Sequence, residues 1–348
     1  MKTHTVEPEQ AQARREYYDR ISQQNLTPLW EVLDRLVTPT PTSPIVAALW
    51  RYAEIRAPLM EAGRLISAAE AERRVLVLEN PALRGRSAIT QSLYAGLQVI
   101  MPGEVAAAHR HTQSALRFLL EGEGAYTAVD GERTTMRRGD FIVTPSWTWH
   151  DHGNPGTQPA VWLDGLDVPL VQFLDASFSE RASVANPLPV RPEGDSLKRY
   201  GANMLPVDYQ PAGVSSSPVF VYPYERTRES LLGIAQGEPD KHLGFKLRYV
   251  NPATGGSPMP TIGAYAQRLP RGFETRPYRC TDGTVYVCLD GFGHAEINGT
   301  VLSFGPNDVF IVPSWNELRI HATTDTHLFS FSDRPVHQAL GLWRESRE

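Results

Sequence analysis

The 348 residues carry 34 basic and 39 acidic side chains, a net charge of −5 and 41% hydrophobic residues. This is the balance of a soluble globular protein, too long for one ordinary domain and lacking the basic stretch that nucleic acid would require. No apolar run approaches the ~20 residues of a membrane span, no apolar signal core opens the chain, and Cys280 and Cys288 are too few for a disulfide framework, so a cytoplasmic chain without nucleic-acid or membrane partners is expected.

Residues 8–37 are predicted helical, with Leu29, Leu33 and Leu36 on one apolar stripe that Pro39, Pro41 and Pro44 terminate. Ser67 is placed to cap a short helix over 68–73. Tyr94, Gly96 and Gln98 then alternate along one strand. His109 and His111, at i and i+2, share a face of an extended strand, and His150 can return from a neighbouring strand to complete a three-nitrogen metal face. His152, two beyond His150, shares its side.

The chain also repeats itself. Leu120-Glu121-Gly122-Glu123-Gly124, Gly139-Asp140-Phe141-Ile142-Val143 and Pro145-Ser146-Trp147 are echoed by Leu289-Asp290-Gly291-Phe292-Gly293, Asn307-Asp308-Val309-Phe310-Ile311 and Pro313-Ser314-Trp315, at offsets of 169 (Gly122 to Gly291) and 168 (Pro145 to Pro313). One duplicated unit explains this. Each copy carries a two-residue hairpin signal, Asp130-Gly131 and Asn298-Gly299. Under those offsets His109, His111 and His150 fall on Tyr278, Cys280 and Leu318, so no metal is expected in the second copy. Residues 175–224, rich in Pro, Ser and Gly, form the connection, with a helix expected over 226–235.

Gly103, His109, His111 and Gly122, and then Gly139, Pro145, His150 and Asn154, resemble the two signature motifs of the cupin superfamily. The resemblance implies an all-β-dominated bicupin, two antiparallel jelly-roll barrels behind an N-terminal helical segment. The expected division is 1–80 helical, 81–174 the metal-bearing barrel, 175–245 the connection and 246–348 a barrel without metal. Where many cupins place a glutamate ligand this chain has Ala115, which implies three neutral imidazoles and no carboxylate.

Asn25-Leu26-Thr27-Pro28-Leu29-Trp30-Glu31, Leu78-Glu79-Asn80-Pro81, His109-Arg110-His111-Thr112-Gln113-Ser114-Ala115-Leu116-Arg117 and Pro145-Ser146-Trp147-Thr148-Trp149-His150-Asp151-His152 resemble the gentisate 1,2-dioxygenase family, which includes salicylate and 1-hydroxy-2-naphthoate dioxygenases. This implies one Fe(II) per chain on His109, His111 and His150. It further implies O2-dependent cleavage of a small aromatic ortho-hydroxy acid, gentisate or a related salicylate, between its carboxyl- and hydroxyl-bearing carbons, and a homotetramer.

Arg117 follows Ala115 by two and so faces the same side, where its guanidinium fork matches a substrate carboxylate. His152 resembles the family histidine that bonds the substrate hydroxyl or the bound oxygen, and Asp164 the carboxylate that orients His152 or a ligand. Tyr94, Gly96, Gln98 and either Arg73 or Arg74 are expected pocket walls. Many gentisate-cleaving relatives carry alanine where this chain has Gly96. The fold hosts many functions, so a salicylate, 5-substituted salicylate or 1-hydroxy-2-naphthoate as the main substrate, and a non-oxygenase metal cupin (isomerase or small-anion sensor), stand as alternatives.

Overall fold

The computed structural model describes residues 8–183, 189–209 and 216–347, so parts of the expected connection, 184–188 and 210–215, lie outside the described residues. Contacts divide the chain into two units, Met1–Thr42 and Ser43–Glu348. In the first, the one helix expected over 8–37 is two, Pro8–Ser22 and Leu29–Leu36. Asn25 adopts a left-handed φ of 56°, and Pro28 pushes Thr27 out of the helical region, so the chain breaks between them. Tyr18 Oη donates to Glu31 Oε1 (2.6 Å) and ties the two helices together.

The second unit contains two runs of eleven strands among the described residues. The first run is β1 (Ala48–Trp50), β2 (Val75–Val77), β3 (Tyr94–Ile100), β4 (Val105–His111), β5 (Ala115–Glu121), β6 (Tyr126–Val129), β7 (Glu132–Thr135), β8 (Phe141–Thr144), β9 (His150–Gly153), β10 (Ala160–Leu166) and β11 (Ser179–Arg181). The second is β12 (Val221–Tyr222), β13 (Phe245–Arg248), β14 (Gly263–Leu269), β15 (Tyr278–Cys280), β16 (Thr284–Asp290), β17 (Gly293–Ile297), β18 (Thr300–Phe304), β19 (Val309–Val312), β20 (Leu318–Ala322), β21 (Thr326–Ser332) and β22 (Glu345–Arg347).

Sheets β12-β8-β5-β10-β3-β2 and β11-β4-β9-β6-β7 make the first barrel, and sheets β1-β19-β16-β21-β14-β13 and β18-β17-β20-β15-β22 the second. Asp130-Gly131 and Asn298-Gly299 both hold positive φ at the tips of β6–β7 and β17–β18, as the primed hairpin turn requires.

The two copies exchange their first strands. β1 pairs with β19 of the second copy, and β12 with β8 of the first. β1 and β2 therefore correct the expectation that 1–80 is helical, and β12 places sheet structure inside the expected connection. The helices that follow the exchanged strands are treated alike. Tyr52 N, opening the helix Tyr52–Leu65, donates to Asp308 Oδ1 (2.8 Å), and Tyr224 N, opening Tyr224–Ile234, donates to Asp140 Oδ1 (2.9 Å). Each carboxylate meets a helix start belonging to the other copy, where free N–H groups and the positive end of the dipole favour it. The Ser67 cap is present, its hydroxyl accepting from Glu70 N over Ala68–Ala71.

The six-stranded sheets pack face to face. Leu116, Phe118 and Leu120 of β5 join Val285, Val287, Phe329 and Phe331 in one core, with Phe118 and Phe329 stacked at 4.2 Å. Leu119, on the opposite side of β5, joins Ile142, Trp162 and Met136 inside the first barrel. With both sides buried, β5 reads as an apolar run interrupted by Arg117 and ended by Glu121.

Candidate active site

β4 and β9 pair antiparallel with His109 opposite His150, after an irregularity in the ladder between Ala106 and His109. His111, two further along β4, shares their face. The rings form a triangle with centroids 5.2, 4.5 and 4.8 Å apart, and one ligand nitrogen from each lies within 4.8 Å of the others.

Backbone carbonyls set the tautomers. His111 Nδ1 donates to Gln113 O (2.9 Å) and His150 Nδ1 to Thr148 O (3.0 Å); a carbonyl only accepts, so both Nε2 atoms are bare. His150 Nε2 is buried with no partner, an orphan that a metal would satisfy. Burial, followed by the nearby Arg73, pushes the His109 imidazole down to about 3; burial takes His111 down to about 4 and His150 well below its ordinary value. The triad is therefore neutral at pH 7, the form in which imidazole binds a metal, and three nitrogen donors suit a transition metal or zinc.

Arg117 points into the same barrel. It stands directly opposite Asp164 on β10, which in turn stands opposite Gly96 on β3, so the three form one row across the sheet. Arg117 Nη1 donates to Thr144 Oγ1, and Nε lies 3.5 Å from Asp164 Oδ1 without making a hydrogen bond. Burial lowers the Arg117 pKa and lifts the Asp164 carboxyl to about 6, each opposed by the partner's charge.

Asp164 accepts from Trp162 Nε1 (3.0 Å) and faces Arg117; it shares no hydrogen bond with His152, so of the two expected roles, orienting His152 or a ligand, the bond to His152 is not made. That role falls to Thr127, whose Oγ1 lies 2.9 Å from His152 Nδ1, while His152 Nε2 is buried without a partner.

Tyr94, Gly96 and Gln98 alternate on β3 as expected, with Gln98 opposite Trp162 and Val75. At Gly96 an added Cβ would stand 2.4 Å from Val75 Cγ1 and 2.8 Å from the Tyr94 hydroxyl. The two arginines part company. Arg73 reaches the triad, its Nη2 donating to Ala107 O (2.9 Å) and lying 3.4 Å from His109 Nε2. Arg74 turns away to Gly63 O and Ile66 O and pairs with Glu104.

Thr127, Thr144 and Trp162 were not legible in the sequence as site residues. Only Trp162 carried a signal, since it shares a face with Asp164 at i−2.

In the second barrel Tyr278 stands opposite Leu318 where the first has His109 opposite His150. Tyr278, Cys280, Tyr286 and Lys246 crowd that interior and leave about 10 Å³. Roomier clefts of about 230 and 390 Å³ flank the helix Asp195–Tyr200, but neither contains histidine or cysteine. Among the described residues His109, His111 and His150 are the one group of side chains placed to hold a metal.

Residues 96–167 match the family model described as a cupin domain. Over 344 residues, covering 99% of both chains, the sequence is 52% identical to gentisate 1,2 dioxygenase 1 of Aquipseudomonas alcaligenes. It is 34% identical to a 5-aminosalicylate 1,2-dioxygenase of a Comamonas species, covering 94% of this chain and 88% of that one. The crystal structure of salicylate 1,2-dioxygenase from Pseudoaminobacter salicylatoxidans as an adduct with gentisate superposes with a TM-score of 0.91 at 33% identity, over 100% of this chain and 96% of that chain.

Proposed function

Because the chain belongs to the gentisate 1,2-dioxygenase family and is a ring-cleaving dioxygenase, we propose that it binds one Fe(II) on His109, His111 and His150 and cleaves gentisate or a closely related salicylate between the carboxyl- and hydroxyl-bearing carbons. The observation that carries this reading is a buried guanidinium, Arg117, facing the same barrel interior as three neutral imidazoles. With Ala115 in place of a carboxylate ligand, the donor set adds no negative charge, which favours an anionic chelating acid. Bound there, the metal would coordinate the ortho-hydroxy acid and O2 and couple the electrons of one to the other.

The protein's own groups do the rest. Arg117, held by Thr144 and Asp164, binds the substrate carboxylate and keeps its plane fixed. His152, whose buried Nε2 has no partner within the protein, takes the hydroxyl proton. Tyr94, Gly96 and Gln98 wall the ring on the β3 side, and Arg73 closes the mouth beside His109. The first barrel holds the chemistry, while the second serves packing and assembly.

The test is direct. Protein purified without oxygen should contain one iron per chain, and adding gentisate should start oxygen uptake. Iron-replete protein that takes up no oxygen with gentisate or any salicylate overturns the proposal, as does a second iron per chain.

A homotetramer is part of the same reading. The helix Leu29–Leu36 exposes Leu29, Trp30, Leu33 and Leu36, an apolar stripe suited to burial against another copy. Light scattering on the eluted protein measures the mass. So is a cytoplasmic location, supported by two free cysteines. Among the described residues no helix is long and apolar enough to cross a membrane.

A further inference from the structure

His152 lies at the end of a short buried relay. Thr127 on β6 is directly opposite His152 on β9, fully buried, with Oγ1 2.9 Å from His152 Nδ1. The same hydroxyl lies 3.4 Å from Met136 Sδ, a side chain that is also fully buried and packed in the first-barrel core beside Trp162. A hydroxyl has one proton to give, and two acceptors compete for it here, the Met136 sulfur and a bare Nδ1.

If the proton goes to sulfur, His152 must carry its own hydrogen on Nδ1 and donate it to Thr127 Oγ1. All three atoms are then satisfied, and Nε2 presents a lone pair to the cavity. If the proton goes to Nδ1 instead, the sulfur loses its donor and Nε2–H points toward the barrel interior. The charged groups felt most strongly there are cations, Arg117 and then Arg73. A lone pair is attracted to guanidinium charge and an N–H dipole is repelled by it.

We infer that Thr127, with its hydroxyl turned by Met136, is a positioning residue that fixes His152 as the Nδ1–H tautomer and so delivers Nε2 as an acceptor. This rests on the reading above that His152 handles the substrate's hydroxyl proton. The β-branched Thr127 has few rotamers to choose from on a strand, which suits it to the task. Valine there would keep the shape and remove the oxygen.

The test reads the ring itself. In protein carrying 15N-labelled histidine, metal-free and zinc-loaded, the His152 resonances should show a pyrrole-type Nδ1 and a pyridine-type Nε2, with His152→Gln identifying the signals. Thr127→Val should mix the tautomers, Thr127→Ser should restore the wild-type pattern, and Met136→Leu should loosen it without altering the fold.

In the iron-loaded enzyme Thr127→Val should lower kcat by about 10- to 100-fold with KM and iron content little changed, and Thr127→Ser should recover most of it. A wild-type Nε2–H signal, or an unaltered tautomer in Thr127→Val, overturns the inference. An unaltered kcat in Thr127→Val, with the tautomers visibly mixed, also overturns it as a statement about turnover. The proton role of His152 is tested separately by His152→Ala: if that variant keeps full kcat while the wild-type ring is still the Nδ1–H form, the reading of His152 fails and the positioning by Thr127 stands.

Discussion

At Gly96 one methyl group would press on three neighbours, Val75, the Tyr94 hydroxyl and the Leu76 carbonyl. Val75 is short and β-branched and yields little, whereas the Tyr94 hydroxyl is the far end of a longer side chain, so alanine at 96 should displace Tyr94 as well as narrow the wall. We expect wild-type protein to turn over gentisate together with measurable salicylate or 5-substituted salicylate. Gly96→Ala should lose the salicylate activity selectively, since a methylene in a pocket discriminates by about 1–3 kcal/mol. Steady-state kcat/KM on both substrates checks this; equal slowing would reduce Gly96 to a packing position.

Arg117→Met should raise KM by well over tenfold with iron retained, a charge-assisted hydrogen bond being worth roughly 1.5–3 kcal/mol. His152→Ala should act on kcat. For the triad the sign of the pH dependence follows from depressed imidazoles. With His109 down to about 3 and His111 to about 4, metal uptake at pH 7 should release less than about one proton per ion. Calorimetry in buffers of different ionisation heat measures that number. The metal-free fold should lose stability as pH falls below about 6.5 and the unfolded chain takes up protons that the folded one refuses.

Between elements, Asp140 and Asp308 each hold the start of a helix that its own chain neighbours do not cap, for Arg51 and Pro223 make no side-chain cap bond. Asp140→Ala and Asp308→Ala should each cost about 1–2 kcal/mol in urea denaturation. Both should leave iron binding intact.

What could be read in advance divides along the same lines. The triad and the hairpins were legible because they depend on spacing within a strand or turn, such as His109 and His111 at i and i+2. The exchange of β1 and β12 was not, because strands of two or three residues show no periodicity. Nor were the partners of Asp164 and His152, which depend on which strands lie side by side. Asp164 sits across from Arg117 on β5, and His152 across from Thr127 on β6.

Within the second unit the barrels share one core, with Phe118 stacked on Phe329 and Phe329 flanked by Phe141 and Tyr249. They should therefore unfold together. Phe329→Ala should cost about 3–5 kcal/mol, and hydrogen exchange should rise in β9 and β20 alike although neither strand touches the lost ring. Separate transitions for the two barrels would contradict this.

The strand exchange bears on how the protein is made. Ala48 pairs with Ile311, 263 positions later (311 − 48), so β1 leaves the ribosome long before its ladder partner exists. The nascent first barrel must wait likewise, with the outer edge of β8 open until Val221 and Tyr222 emerge. Throughout that interval an unpaired strand edge and the apolar faces of β5 and β8 are available to the wrong partner. A message truncated anywhere before residue 312 should accordingly yield insoluble chain with an empty histidine triad, even when every residue of the first barrel has been translated.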